Sequence, residues 1–268
     1  SGASSCSYYF WLAEIYMVLN ELNVVIKNLK RWSKPKRIPG KWLNFPSKDW
    51  ILSEPYGVTL HIAPWNYPFQ LALNPLIGAV AAGNTVVLKP SEYAPKTAEV
   101  LKKILAEAFP PEWVSVIEGG PKTAKDLLSQ RWDYIFFTGG VNVGKIVAKA
   151  AANHLTPTTL ELGGKNPCIV DHTASISVSA RRIIWGKFMN CGQICMSPDY
   201  VIIHKNIYNE FITSLKKEVV LMYGIDPKSS TDYGRLVHSE HLKKIKELMT
   251  GQNIIPVSYT HLRAHETS

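Results

Sequence analysis

Cysteine is scarce in this sequence: there are four in 268 residues, at positions 6, 168, 191 and 195. That is too few, spread too widely, for the disulfide framework of a small secreted domain, and it suits a reducing cytoplasm. Long apolar runs are also missing. Clean runs such as Leu76–Ala82 fall far short of the ~20 residues that span a bilayer, so no membrane segment is expected. The opening SGASSCSYYFWL has neither the basic stretch nor the small-residue cleavage site of a secretory leader. Acidic residues are outnumbered 21 to 30, which leaves a net charge of +9. The basic residues Lys30, Arg31, Lys34, Lys36, Arg37 and Lys41 cluster around Pro35 and Pro39. They read as a solvated loop after a helix. No zinc-finger spacing, aromatic RNA-binding string or basic heptad region accompanies them, so nucleic acid is not an expected partner. With 46% hydrophobic and 19% charged residues the chain can bury a core, and a disordered, collagenous or repeat architecture is excluded.

What is present is alternation. Apolar residues at helical spacing from Ile15 to Leu29 predict a helix over Ala13–Trp32, and the Pro- and Lys-rich stretch Ser33–Ser53 reads as an extended connector. Strands are then predicted at Gly57–Ala63, Thr85–Leu88, Val114–Ile117 and Tyr134–Phe137. The helices between and after them are Phe69–Ala82, with Gly83 as its cap, Pro95–Ala108, Lys122–Leu128 and Asn142–Ala152. Strands this apolar, alternating with helices, argue for a doubly wound α/β fold with a parallel sheet covered on both faces. Beyond Glu161 the pattern loosens into a strand at Pro167–Val170, a helix at Ile176–Met189 and a strand at Tyr200–His204. Helices at Ile207–Tyr223 and His241–Met249 end the readable pattern.

Five groups of residues could carry chemistry. Cys195 stands in FMNCGQICMSPD at 188–199, a Gly-containing approach that suits a loop between a helix and a strand. A thiol with a pKa near ~8.5 reacts as thiolate only if neighbours lower it, and a lone cysteine is otherwise an inert core residue. Cys191 and Cys195 have no further ligands at zinc-like spacing, so no metal is expected. Glu161, in TLELGGKNP at 159–167, is a carboxylate in an apolar setting, the environment in which general bases arise. It could equally bond the Gly-Gly backbone. Asn66 in HIAPWNYPFQ at 61–70 can donate to an oxyanion or simply form a turn. Lys89 and Glu92 follow a strand, where parallel sheets bind cofactors, yet a Lys and a Glu three apart usually form a surface pair. FFTGGVNVGK at 136–145 is a Gly-rich strand-to-helix turn, although G-x-G-x-x-G occurs nowhere in the chain.

Together these strings resemble the NAD(P)-dependent aldehyde dehydrogenases, and among them the shorter fatty- and aromatic-aldehyde enzymes of class 3. The likeness runs, with gaps, from about Ala13 to Ile255. It implies oxidation of aldehydes to carboxylic acids through a cysteine thiohemiacetal and thioester. Cys195 would be the nucleophile, Glu161 the base that activates water, and Asn66 with the Cys195 backbone N–H the oxyanion hole. Lys89 and Glu92 would hold the adenosine ribose, and Thr138, Gly139, Gly140 and Gly144 the phosphate turn. Trp65 would lie at the cofactor, and with Tyr67 wall the substrate region. A carboxylate at 92 favours NAD, with NADP also accepted by this class. The resemblance further implies a homodimer acting on a small-molecule aldehyde.

The same resemblance divides the chain into a helix and connector at 1–50, an NAD-binding domain at 51–163 and a partial catalytic domain at 164–255. Residues 256–268, PVSYTHLRAHETS, depart from the family pattern and are expected to be a non-native tail. Nothing matches the family's Glu-x-Phe-Gly-Pro region, so the chain is expected to be a fragment, inactive on its own. Two other readings stay open on residues alone. One is a cofactor-independent thiol hydrolase, which would need a histidine near Cys195. The other is a non-catalytic nucleotide-binding module.

Overall fold

The computed structural model describes residues 11–230 and 232–252. Cys6 and the segment 256–268 therefore lie outside the described residues. The chain forms two compact units, Trp11–Leu162 and the residues from Gly163 onward.

In the first unit a π-helical turn, Trp11–Tyr16, runs into α1 (Met17–Trp32), followed by a short antiparallel pair, β1 (Lys36–Ile38) and β2 (Asp49–Ile51). Then come β3 (Val58–Ile62), α2 (Gln70–Ala81), β4 (Thr85–Lys89), α3 (Pro95–Ala108), β5 (Val114–Val116), α4 (Pro121–Leu128), β6 (Tyr134–Thr138), α5 (Val141–Ala152) and β7 (Thr158–Glu161). β3 to β7 form one five-stranded sheet in the order β5-β4-β3-β6-β7, parallel throughout. The chain starts at the centre, winds outward through β4 and β5, and returns to the other side of β3 for β6 and β7.

Both faces of this sheet are covered. On one face Val18, Leu73, Leu76, Val86, Leu88, Leu101, Leu105 and Val114 form a core beneath α1, α2 and α3. On the other, Leu60, Ile62, Leu128, Ile135, Phe137, Val147 and Ala151 pack beneath α4 and α5. Period-2 alternation along β3 and β6 sends successive side chains to opposite faces, which is why near-continuous apolar strands are needed. The fold class predicted from the alternation is the fold observed. α2 stops where the sequence says it should. Gly83 has φ +87°, the Gly83 N–H donates to Val80 O at 2.9 Å and the Asn84 N–H to Ala79 O at 3.0 Å, the two bonds of a Schellman motif.

The connector is not wholly extended, since β1 and β2 pair within it. β7 was not predicted at all. Its residues Thr158, Thr159 and Leu160 are only half buried, so no clean apolar run marks it.

The second unit holds β8 (Asn166–Val170), α6 (Ile176–Phe188), β9 (Pro198–Ile203), α7 (Tyr208–Tyr223) and α8 (Ser239–Met249). β8 and β9 pair in parallel, and α6 and α7 cover a core of Val170, Ala180, Ile183 and Phe211.

The centre of the large sheet contains a histidine. His61 in β3 is 4% exposed. Its Nε2 lies 3.3 Å from Thr59 Oγ1, and that hydroxyl already donates to Thr85 O at 2.9 Å. Nε2 must therefore be the donor, which leaves Nδ1 as an acceptor with no partner among the described residues. Burial lowers the His61 pKa from 6.5 to about 4. In the unfolded chain the ring takes a proton below pH 6.5, whereas in the fold it resists protonation down to about 4. The unfolded state thus binds more protons in that window, and stability falls as pH drops through it. His61 should account for a loss of about 3 kcal/mol between pH 7 and pH 4. Urea unfolding of wild type and His61→Phe across this range checks it; the variant should show a flatter profile, and parallel profiles would refute the assignment.

Candidate functional site

The order of strands fixes where a ligand can sit. β3 is followed by a crossover to β4 on one side and bordered by β6 on the other, so the loops leaving β3 and β6 diverge and open a crevice at the carboxyl edge of the sheet. The sequence candidates of this unit end on that edge. Ile62 of β3 is level with Lys89 of β4, and Thr138 of β6 with Glu161 of β7. Two bonds continue the row past the strand ends: the Ala63 N–H donates to Lys89 O at 3.0 Å and the Gly139 N–H to Glu161 O at 2.9 Å.

Lys89 and Glu92 do not form an ordinary surface pair. The lysine side chain is 4% exposed and its Nζ lies 2.6 Å from Glu92 Oε2. A buried ammonium needs such a partner, and this one leaves the carboxylate at the mouth of the crevice. Glu92 itself is exposed.

The turn from β6 to α5 separates its three glycines by role. Gly140 is the N-cap residue of α5, a helix without a side-chain cap among the described residues. A Cβ placed on Gly140 would meet nothing within 4 Å. The first N–H groups of α5 are thus open to an anion, the arrangement that suits a dinucleotide phosphate. Gly139 is packed: a Cβ there would lie 2.5 Å from Phe137 Cζ. Gly144 is buried, and a Cβ would lie 2.6 Å from Leu162 Cδ2, so this glycine lets α5 sit close to the strand that carries Glu161. The residues present fit a dinucleotide at this edge.

Glu161 is exposed at the end of β7. The expectation of an apolar setting fails here for a simple reason: Leu160 and Leu162 pack against the core, and alternation turns the residue between them away from it. Asn66 and Trp65 lie half buried in the loop between β3 and α2.

One contributor was missed in the sequence. Glu14, 6% exposed, accepts the Phe69 N–H at 2.7 Å and the Gln70 N–H at 3.1 Å. Its carboxylate caps the start of α2, directly after the loop that carries Asn66. Burial raises its pKa, and the two backbone bonds offset part of the rise. The signal was available, because Glu14 precedes Val18 by one helical turn and so shares the buried face of that helix.

In the second unit Cys195 lies in a turn between α6 and β9 and is exposed, so the inert-core reading does not hold. The residues before it are left-handed: Asn190 and Cys191 have φ of +48° and +56°, which is strained for residues with a Cβ, and Gly192 has φ +75°, which glycine adopts freely. Burial pushes the Cys191 thiol pKa up, with partial relief from the Tyr233 hydroxyl and Arg235. The two thiols therefore differ, one shielded and one open. On the far side, a Cβ at Gly164 would overlap the Cys195 carbonyl oxygen. Among the described residues no group of three or more His, Cys, Asp and Glu could hold a metal ion, and no helix is long and apolar enough to cross a membrane.

The first unit is a doubly wound dinucleotide-type sheet, and the second a βαβ unit bearing an exposed cysteine. The chain belongs to the aldehyde dehydrogenase family, whose profile matches residues 10–253. It is 46% identical over 239 residues to 4,4'-diaponeurosporen-aldehyde dehydrogenase of Staphylococcus aureus, covering 89% of this chain and 52% of that protein. It is 44% identical over 248 residues to the dimeric NADP-preferring aldehyde dehydrogenase of Rattus norvegicus, covering 92% and 54%. A solved structure of Staphylococcus aureus AldH in its substrate-bound state superposes with a TM-score of 0.85 at 45% identity, over 90% of this chain and 52% of that one. The chain spans about half the length of the curated relatives it matches.

The glycine roles yield a contrast in stability. Gly144→Ala should destabilise the first unit by roughly 1–3 kcal/mol through overpacking against Leu162. Gly140→Ser should leave stability unchanged or raise it by up to ~1 kcal/mol, because a hydroxyl there can cap α5. Urea midpoints of the two variants decide; equal effects would contradict the division.

Proposed function

We propose that the protein containing this chain oxidises aldehydes to carboxylic acids with NAD, NADP also being accepted, through a covalent intermediate on Cys195. The observation that carries this reading is the convergence of the Lys89–Glu92 pair, the open N-terminus of α5 and Glu161 on one carboxyl edge, at the point where the strand order reverses. Lys89 and Glu92 hold the adenosine ribose, Gly139 and Gly140 admit the pyrophosphate, Thr138 and Trp65 line the same cofactor, and Gly144 acts by packing. When bound, the nicotinamide ring accepts the hydride that the thiohemiacetal carbon gives up.

The chain's own groups do the rest. The Cys195 thiolate adds to the aldehyde carbonyl, and the Asn66 amide and the Cys195 N–H donate to the oxygen that takes up charge. After oxidation an acyl thioester remains on Cys195. Glu161 removes a proton from water, which attacks the thioester, releases the carboxylate and restores the thiolate. The rat relative is named as dimeric and NADP-preferring, which supports a dimer and the acceptance of NADP. The three cysteines among the described residues are free, which supports a reducing, cytoplasmic location.

The two half-reactions separate by mutation. In the protein as it occurs, Glu161→Gln should still release about one equivalent of NADH per site in a pre-steady-state burst. Its steady-state rate should fall ~10²–10⁴-fold, the usual contribution of a general base. Cys195→Ser should lose both phases. Stopped-flow absorbance at the NADH band reads both, and full turnover in either variant would contradict the assignment.

A further inference from the structure

The turn that carries Cys195 is held from both sides by side-chain amides. Before the cysteine, Gln193 Nε2 donates to Asn190 O at 3.0 Å and to Arg235 O at 3.1 Å, and its Oε1 accepts the Val237 N–H at 3.0 Å. The same amide therefore closes the left-handed run Asn190–Cys191–Gly192 and ties it to the segment 235–237. Left-handed backbone is disfavoured for residues bearing a Cβ and persists only when its surroundings over-determine it. After the cysteine, Asn166 Nδ2 on β8 donates to Cys195 O at 2.6 Å and to Ser197 O at 3.0 Å. Gly164 has no room for a side chain beside that same carbonyl. Cys195 is exposed, yet the peptide after it is held by Asn166, and in the peptide before it the Ile194 carbonyl accepts the Ser197 N–H at 3.2 Å.

We propose that Gln193 and Asn166 are positioning residues, a two-sided clamp that fixes the Cys195 N–H relative to its sulfur for acyl transfer. This rests on the reading of Cys195 as the nucleophile. A thiolate attacking a carbonyl needs its own N–H aimed at the emerging oxyanion, and small misplacements at such a site cost up to about a hundredfold in rate. A thiolate displacing a halide has no oxyanion to stabilise. The clamp should therefore matter for acylation and not for alkylation.

The test compares two reactions of the protein as it occurs, followed by mass spectrometry of the Cys195 peptide. With p-nitrophenyl acetate the sulfur–carbonyl bond forms, p-nitrophenolate leaves and an acetyl thioester remains. With iodoacetamide the sulfur–carbon bond forms and iodide leaves. Gln193→Met keeps the volume and removes the hydrogen bonds to Asn190 O, Arg235 O and the Val237 N–H. It should lower acylation about 10- to 100-fold while changing alkylation less than about threefold. Asn166→Asp, which replaces the donating amide on the other side of the turn, should show the same split. It carries the test if Gln193→Met unfolds and the shielded Cys191 becomes rapidly alkylated. In Gln193→Met the Val237 amide should also exchange its hydrogen at least about tenfold faster. If wild type is acylated at Cys195 and the acylation-to-alkylation ratio is unchanged in the folded variant, the clamp is overturned. If wild type is alkylated at Cys195 but never acylated there, the nucleophile reading fails and takes the proposal with it.

Discussion

Everything in the first unit depends on the reversal of strand order about β3. Because the chain leaves β3 toward β4 and returns beside it as β6, the loops that follow these strands are carried apart, and backbone groups at the strand ends stay open at one edge. The backbone ladder then sets the level of each side chain. Ile62 is paired with Lys89 and Thr138 with Glu161, so residues distant in sequence end in one row. Glu14 adds a brace from outside the sheet by capping α2, the helix entered from the Asn66 loop.

The second unit meets a different constraint. A reactive thiol has to be reachable, and a reachable loop ordinarily moves. Here the exposure of Cys195 is combined with backbone held in an unfavourable left-handed run; the hydrogen bonds of Gln193 offset that cost, and Asn166 holds the carbonyls of Cys195 and Ser197. The bonds that hold this turn come from the flanking amides of Gln193 and Asn166 and not from the cysteine side chain. Cys191, four residues earlier, shows the opposite arrangement: it is shielded and contacts the Tyr233 hydroxyl, and burial keeps it a thiol.

Long apolar periods were legible in the sequence, and the elements they mark fall within a few residues of where they were read. α3 runs over Pro95–Ala108, the bounds its periodicity and N-terminal proline give. β7 escaped because Thr158 and Thr159 carry no apolar signal and the strand lies at the margin of the sheet, paired on one side with β6. β1 and β2 escaped because three-residue strands are too short for alternation to register. The motifs located the site residues along the chain, but their environments came from topology. Lys89 is buried although a Lys and a Glu three apart suggest surface, and Glu161 is exposed although its neighbours are leucines. Gln193 and Asn166 had no sequence signal of their own, since their partners at 190, 195, 197, 235 and 237 meet only in the folded chain. His61 was hidden for the same reason, since its partner hydroxyl on Thr59 and that hydroxyl's acceptor on Thr85 meet only across β3 and β4.

In this reading the carboxyl edge of the large sheet receives the dinucleotide. Hydrogen exchange of the chain with and without saturating NAD, read peptide by peptide, tests it most directly. Protection should be confined to the segments that leave β3, β4 and β6, namely residues 63–69, 89–93 and 138–143. An unchanged exchange pattern there, or protection at the opposite ends of the same strands, would contradict it.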